Sequence, residues 1–281
     1  MASINTNASA QIALQNLNAI SDRLTATQNR VSTGLKVQGA KDNAAVWAVA
    51  QNQRADTKAY ESVTSSLNRA TSIADVSIAA GESISDLITQ LKQKATAAAD
   101  PGGSDATRTA YNNEFQALLL SIKSFVDNAT FDGKNMLNGM ADDGVTASTD
   151  PLSFLANADA TDTISLDRQN FSLAGLGLDP APDLSTVTGA TAALTAVTAA
   201  LTTVSAGLAE MGAQATQIEN HTKFVSKLVD ALEIGIGNLV DADLAKESAK
   251  LQALQVQQQL GVQSLSIANQ APQIILSLFQ N

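Results

Sequence analysis

Few residues in this chain are of a type that could do chemistry, and their spacing is poor for it. Its 281 residues include no cysteine and one histidine, so thiolate metal sites, Cys–His nucleophile pairs and multi-histidine centres cannot be built within it. His221 falls beside an apolar stripe at helical spacing and reads as a surface or boundary histidine. Gly175-Leu176-Gly177 lacks the third glycine and the strand-then-helix setting of a dinucleotide loop, and reads as a turn. Asp241 and Asp243 stand two apart and so face different directions on a helix, which suits solvent or a helix start better than acid–base work. Aromatic residues, which build pockets, are 4% of the chain. No catalysis, cofactor or metal is expected.

Composition narrows the partners. Of the chain, 44% is hydrophobic but mostly small or aliphatic, which suits narrow helix seams better than a wide core. A net charge of -10, from 17 Lys and Arg against 27 Asp and Glu, supplies no basic footprint for nucleic acid or an anionic membrane surface. No apolar run is read as approaching the roughly 20 residues that span a bilayer, so no membrane insertion is expected. The first positive charge is Arg23, and the basic start and apolar stretch of a cleaved signal peptide are missing. By these rules alone the chain is cytoplasmic, although a lack of cysteine fits an exported chain equally well.

The elements that must carry any function are helices. All five prolines, Pro101, Pro151, Pro180, Pro182 and Pro272, leave residues 1–100 and 183–271 free of them, so long helices are permitted there. From Leu194 the positions Val197, Leu201, Val204, Leu208, Met211, Ala215, Ile218, Thr222, Val225, Val229, Leu232, Ile236 and Leu239 alternate steps of three and four. Such a heptad seam predicts a helix roughly 70 Å long. A second seam runs through Tyr60, Val63, Leu67, Ala70 and Ala74, is interrupted by Ser77 and Gly81, and resumes at Ile84, Ile88, Leu91, Ala95 and Ala98. After Pro101-Gly102-Gly103, a third carries Tyr111, Phe115, Leu118, Ile122 and Phe125, so these two helices should fold back on each other.

Both chain ends have seams of their own. Ala10, Ala13, Leu17, Ile20, Leu24, Thr27 and Val31 form one; Leu244, Leu251, Leu254 and Leu265, with Gln258 and Gly261 on the same stripe, form a weaker one. The two terminal helices are expected to pair. Between residues 130 and 182, Phe131-Asp132-Gly133 signals a turn and Thr163 to Asp167 alternates as a short strand, which predicts a small β-rich or irregular piece. In the stretch 34–43, which includes Lys41, Gly34 and Gly39 break the first seam, and Asp42 or Asn43 can cap the next helix. This reads as a solvated loop or a hinge, with Trp47 as its apolar anchor. The fold class is mainly α: a long antiparallel coiled-coil-like rod with a small β-hairpin region and paired N- and C-terminal helices.

Two groups of motifs stand at opposite ends. One comprises Ser3-Ile4-Asn5-Thr6-Asn7, Leu14-Gln15-Asn16-Leu17, Arg30-Val31-Ser32-Thr33-Gly34-Leu35-Lys36 and Ala40-Lys41-Asp42-Asn43-Ala44-Ala45. The other comprises Asn238-Leu239-Val240-Asp241-Ala242-Asp243-Leu244-Ala245, Leu260-Gly261, Ala268-Asn269-Gln270-Ala271-Pro272-Gln273 and Leu276-Ser277-Leu278. With these motifs in this order the sequence resembles a bacterial flagellin, the subunit of the helical flagellar filament, in a short form lacking large outer domains. The hook–filament junction protein shares related terminal helices and is the nearer alternative; a helical-rod adhesin or toxin is more distant and would need a sustained apolar hairpin.

The resemblance implies an inner terminal-helix domain of residues 1–33 and 240–281 and a spoke or hinge at 34–46. It further implies an outer helical rod of 47–139 and 183–239, with a small β-rich segment at 140–182. It implies a self-assembling extracellular filament used for swimming, exported through the flagellar type III apparatus without signal cleavage, which replaces the cytoplasmic reading. Expected partners are further copies of the chain, an export chaperone, and the hook–filament junction and filament cap proteins. Self-assembly contacts are expected from Ile4, Leu17, Ile20, Leu24, Val31, Leu251, Leu254, Leu265, Ile274, Ile275, Leu278 and Phe279. Apolar residues on two stripes of the last helix, Leu251, Leu254 and Leu265 on one and Val256, Leu260 and Ile267 on another, suit burial by stacked subunits. Many flagellins place an arginine and a leucine where Gln90 and Lys94 align, opposite an acidic residue matched by Glu114. Weak recognition, or none, by the innate Toll-like receptor for flagellin is therefore expected.

Overall fold

The computed structural model describes residues 7–141 and 146–278, the last eight of these by backbone alone. In chain order the elements are α1 (Ala8–Thr33), α2 (Ala44–Ala98), α3 (Asp105–Asn128), β1 (Thr130–Phe131), β2 (Lys134–Asn135), β3 (Leu152–Leu155), β4 (Thr163–Leu166), α4 (Val187–Val240) and α5 (Leu244–Leu278). The fold is mainly α, and β1–β2 and β3–β4 are separate antiparallel pairs. The chain forms two compact units, Met1–Ala55 with Ala231–Asn281, and Asp56–Asp230.

In the second unit the apolar face of α2 forms one uninterrupted seam. Val63, Leu67, Ala70, Ala74, Ser77, Gly81, Ile84, Ile88, Leu91, Ala95 and Ala98 follow one another at alternating steps of four and three, and all are buried. Ser77 and Gly81 therefore occupy seam positions, where the sequence suggested a break. The Ser77 hydroxyl donates to the Ile73 carbonyl at 2.7 Å, which satisfies it inside the helix. Gly81 gives room: a Cβ there would lie 2.8 Å from Leu208 Cδ2 and 3.4 Å from Phe171 Cε2. On α4, a Cβ at Gly207 would lie 2.8 Å from Cε1 and Cζ of the same ring. The fully buried Phe171 thus fills a notch left by two glycines.

The α4 seam follows the predicted positions from Leu194 to Val229, buried or half-buried throughout. On α3 the buried stripe is Phe115, Leu119, Ile122 and Val126, so the expected Leu118 is only half-buried and Phe125 is exposed. Both sets are spaced helically; packing against Ile88, Leu91 and the segment Phe171–Leu184 selects the second. The reading of membrane-spanning potential is corrected too: α4 is long and apolar enough to cross a bilayer by length and composition. Residues 187–209 carry no charge. Here Ala193, Val197, Ala200 and Val204 are core, and Thr191, Thr195, Thr198 and Thr202 turn their hydroxyls to carbonyls four residues back.

The segment between α3 and α4 is held by a few polar groups. Asp132 (φ 51°) and Gly133 (φ 72°) are both left-handed, as a two-residue hairpin turn between β1 and β2 requires. Arg168 donates from Nη1 to the carbonyls of Asn135 (2.8 Å) and Met140 (3.0 Å) and from Nε to that of Asp150 (3.0 Å). Buried Asn135 donates to the Val126 carbonyl at 2.7 Å, tying the hairpin to α3. Phe154, Ile164 and Leu166 then pack on Val63, Leu67, Ile73, Ile218 and Val225, and Leu176, Leu178 and Leu184 join the neighbouring core.

The Phe171 notch generates a paired prediction. Gly207→Ala should destabilise the protein by about 1–3 kcal/mol through overpacking. Gly212→Ala on the same helix meets nothing within 4 Å and should stabilise it by up to about 1 kcal/mol through helix propensity. Thermal melts followed by circular dichroism separate the two; equal shifts would contradict the notch.

Candidate functional site

Helix α1 begins at an asparagine with two tasks. The Asn7 carboxamide oxygen accepts from the Ala10 N–H at 3.1 Å, capping the helix, and its Nδ2 donates to the Ala268 carbonyl of α5 at 2.7 Å. Gly34, left-handed at φ 73°, ends the helix and returns its N–H to the Arg30 carbonyl at 2.9 Å. Between the caps, Ala10, Ala13, Leu17, Ile20, Leu24, Thr27 and Val31 are buried or half-buried. The matching stripe of α5 is Glu247, Leu251, Leu254, Gln258, Gly261, Leu265 and Ala268, while Leu244, expected in register, is exposed. Gln258 lies 3.5 Å from the Ser21 hydroxyl, and Arg30 pairs with Glu247 at 3.4 Å. Together with the Asn7–Ala268 bond, these ties make the pair antiparallel. Gly261 sits where a Cβ would be 3.2 Å from Leu17 Cδ1, so a small residue sets the close approach.

Helix α5 is apolar on two sides. At about 100° per residue, Val256, Leu260 and Ile267 lie roughly opposite the stripe that faces α1. They are uncovered: Leu260 is 61% and Ile267 63% exposed. Ile12 and Leu14 flank the α1 seam and are exposed as well. Ile12, Ile20, Leu260 and Gly261 line an open groove of about 450 Å³ along the pair. No ionisable side chain occurs in residues 1–21 or 251–281, so this surface is built only of apolar and amide or hydroxyl groups. That charge gap was legible in the sequence and is the strongest feature the motif reading passed over.

A connector joins these helices to α2 and α4 within the same unit. The N–H groups of Lys36 (2.7 Å) and Val37 (3.2 Å) donate to the Val240 carbonyl, and the Ala242 N–H donates to that of Gly34 at 2.8 Å. Asp42 accepts from the N–H groups of Gln38 (2.9 Å) and Gly39 (3.3 Å), closing the loop, whereas Asn43 accepts from the Val46 N–H at 3.1 Å and caps α2. Asp243 accepts from the N–H groups of Ala245 (3.0 Å) and Lys246 (3.1 Å) and so starts α5. Val37, Ala50 and Val240 form a small buried core, with half-buried Trp47 against it, and Lys41 is exposed.

The family model described as the bacterial flagellin N-terminal helical region matches residues 4–142, and that of the flagellin C-terminal helical region matches 194–279. The chain belongs to the bacterial flagellin family. This flagellin is 45% identical to flagellin FljK of Caulobacter vibrioides over 99% of its own length and 98% of the relative's. It is 40% identical to a flagellin of Brucella melitensis over the whole of both chains. In fold it is similar to a putative flagellar hook-associated protein from Vibrio parahaemolyticus, with a TM-score of 0.57 and 12% identity, covering 71% of this chain and all of that one. Flagellins are structural proteins, and the chain is a subunit of the flagellar filament.

The remaining positions of interest lie apart from the terminal pair. In this flagellin Gln90 is exposed on α2, and Lys94 forms an ion pair with Glu114 while its Nζ stands 5.7 Å from the Tyr111 ring. His221 Nε2 is 2.8 Å from the Ala156 carbonyl, a boundary position with that nitrogen as donor. Ile4 and Phe279 lie outside the described residues; Ile274, Ile275 and Leu278 continue α5, but their side chains lie outside the description. The pairing of α1 with α5 yields a direct test. Leu24 is buried in that seam, so Leu24→Asp should cost about 3 kcal/mol or more. Circular dichroism should show helicity lost from the terminal unit at a lower temperature, and an unchanged melt would contradict the pairing.

Proposed function

We propose that this flagellin polymerises by covering the second apolar side of α5, with Ile12 and Leu14 beside it, against the terminal helices of neighbouring copies. The observation that carries this reading is the uncovered stripe Val256, Leu260 and Ile267, opposite a stripe already used within the chain. Two apolar sides on one helix need two neighbours, and stacking of copies around an axis supplies the second. Ile274, Ile275, Leu278, Phe279 and Ile4 extend the same contacts. The connector around Gly34, Gly39, Lys41, Asp42, Asn43 and Trp47 acts as the spoke that joins the assembling helices to the rest of the subunit. Its role is mechanical and not catalytic.

Before joining, such a stripe invites aggregation. An export chaperone therefore covers it on the way to the flagellar type III apparatus, and the hook–filament junction and cap proteins bound the finished filament outside the cell. Recognition by the innate Toll-like receptor for flagellin is weak, because Lys94 is engaged by Glu114 and Gln90 offers neither the charge nor the apolar anchor of a strong interface centre.

The triple substitution Val256→Ser, Leu260→Ser and Ile267→Ser should leave the melting of the monomer close to unchanged while raising the critical concentration for seeded elongation about a hundredfold or more, given roughly 1 kcal/mol or more lost per buried side chain. Long filaments forming at the original concentration would overturn the reading, as would a chain that stops at short rings. For the receptor, Gln90→Arg with Lys94→Leu should raise activation of a reporter cell line by about tenfold or more; no gain would remove these positions from the contact.

A further inference from the structure

The four methionines of the chain do not stand alike. Met1 lies outside the described residues; Met136 and Met211 are each 0% exposed, whereas Met140 is 38% exposed. Met136 belongs to the core that holds Phe154, Ile164 and Leu166, and Met211 to the core that holds Phe171 and Val204. Met140 instead lines an open cleft of about 440 Å³, where Val126, Leu173 and Ala174 are its apolar neighbours and Lys123 and Asn138 bring polar groups. The backbone at Met140 is held without help from its side chain. Its N–H donates to the Asn138 carboxamide oxygen at 3.0 Å, its carbonyl accepts from Arg168 Nη1 at 3.0 Å, and it pairs with Ala147 in an antiparallel bridge.

We propose that Met140 is the site at which the folded subunit takes up oxygen from a peroxide, and that among the described methionines the fold tolerates the product there alone. A sulfur lone pair attacks one oxygen of hydrogen peroxide. The S–O bond forms, the O–O bond breaks, and the second oxygen leaves with both hydrogens as water, so the sulfur gives up the two electrons that the peroxide gains. The reaction needs contact between the thioether and solvent, which Met140 has and Met136 and Met211 lack. The product is a polar acceptor. At Met140 the new oxygen can be met by water or by the N–H donors that Lys123 and Asn138 bring to the cleft. At Met136 or Met211 it would be buried among apolar side chains. The order of events therefore decides the damage: a peroxide that meets the folded subunit is absorbed at Met140, and one that meets the unfolded chain also oxidises the two core positions and prevents them from packing.

The test exposes the full chain to hydrogen peroxide, either folded or in denaturant, and locates each added oxygen by mass spectrometry of peptides. In the folded chain Met140 should be oxidised about tenfold or more faster than Met136 and Met211, and the treated chain should melt within about 2 °C of the untreated one. Chain oxidised in denaturant and then returned to buffer should melt about 10 °C or more lower, or fail to refold. Met140→Leu should remove the uptake at this position, keep the melt of the parent, and leave the loss after oxidation in denaturant unchanged. Equal rates at the three methionines of the folded chain would overturn the proposal, as would a Met140 that resists peroxide. A folded chain whose melt drops by about 10 °C once Met140 alone is oxidised would overturn the tolerance.

Discussion

A helix with apolar residues on opposite sides cannot satisfy both against one partner, and α5 is such a helix. Its Leu251, Leu254 and Leu265 side is used against α1; its Val256, Leu260 and Ile267 side faces outward. The rest of the terminal unit follows from that arrangement. Gly261 and the alanines at 10, 13 and 268 let the two backbones come close. Amide and hydroxyl groups then supply the polar ties: Asn7 to the Ala268 carbonyl and Gln258 to Ser21. Among the described residues, the one ion pair across the seam, Arg30 with Glu247, stands at the end nearest the connector, where the Glu247 side chain is only 13% exposed. Lys250, one turn along α5, stands 3.8 Å from the other oxygen of the same carboxylate, so Glu247 is flanked by a cation from each helix.

The connector shows why the end motifs have the composition they do. Gly34 is needed for a left-handed helix end, Asp42 and Asn43 for two different backbone caps, and Asp243 for the start of α5. These are positions where backbone geometry demands a residue type, so the motif reading located them by sequence alone. It left the division of labour between Asp42 and Asn43 open, because both residues can cap and only the folded loop decides.

Periodicity was a good guide wherever one stripe of large apolar residues dominated, as along α1 and α4. It failed where residue volume mattered more than hydropathy. Ser77 and Gly81 look like a break by polarity, yet one hides its hydroxyl in the preceding turn and the other makes room for Leu208 and Phe171. On α3 two overlapping stripes compete, and only the neighbours Ile88, Leu91 and Leu178 choose between them. The ties made by Arg168 and Asn135 join residues far apart in the chain, and nothing local in the sequence announces them. The charge-free ends, by contrast, are plain in the sequence.

The central claim is that the outward side of α5 is buried when copies join. The chain has no cysteine, so a single thiol at Leu260→Cys can report on that surface without interference, by maleimide labelling of the monomer and of sheared, pelleted filaments. The account predicts rapid labelling of the monomer and protection of about tenfold or more in the filament. Equal labelling in both states would mean that α5 keeps its second apolar side in solvent, and that the copies join through another surface.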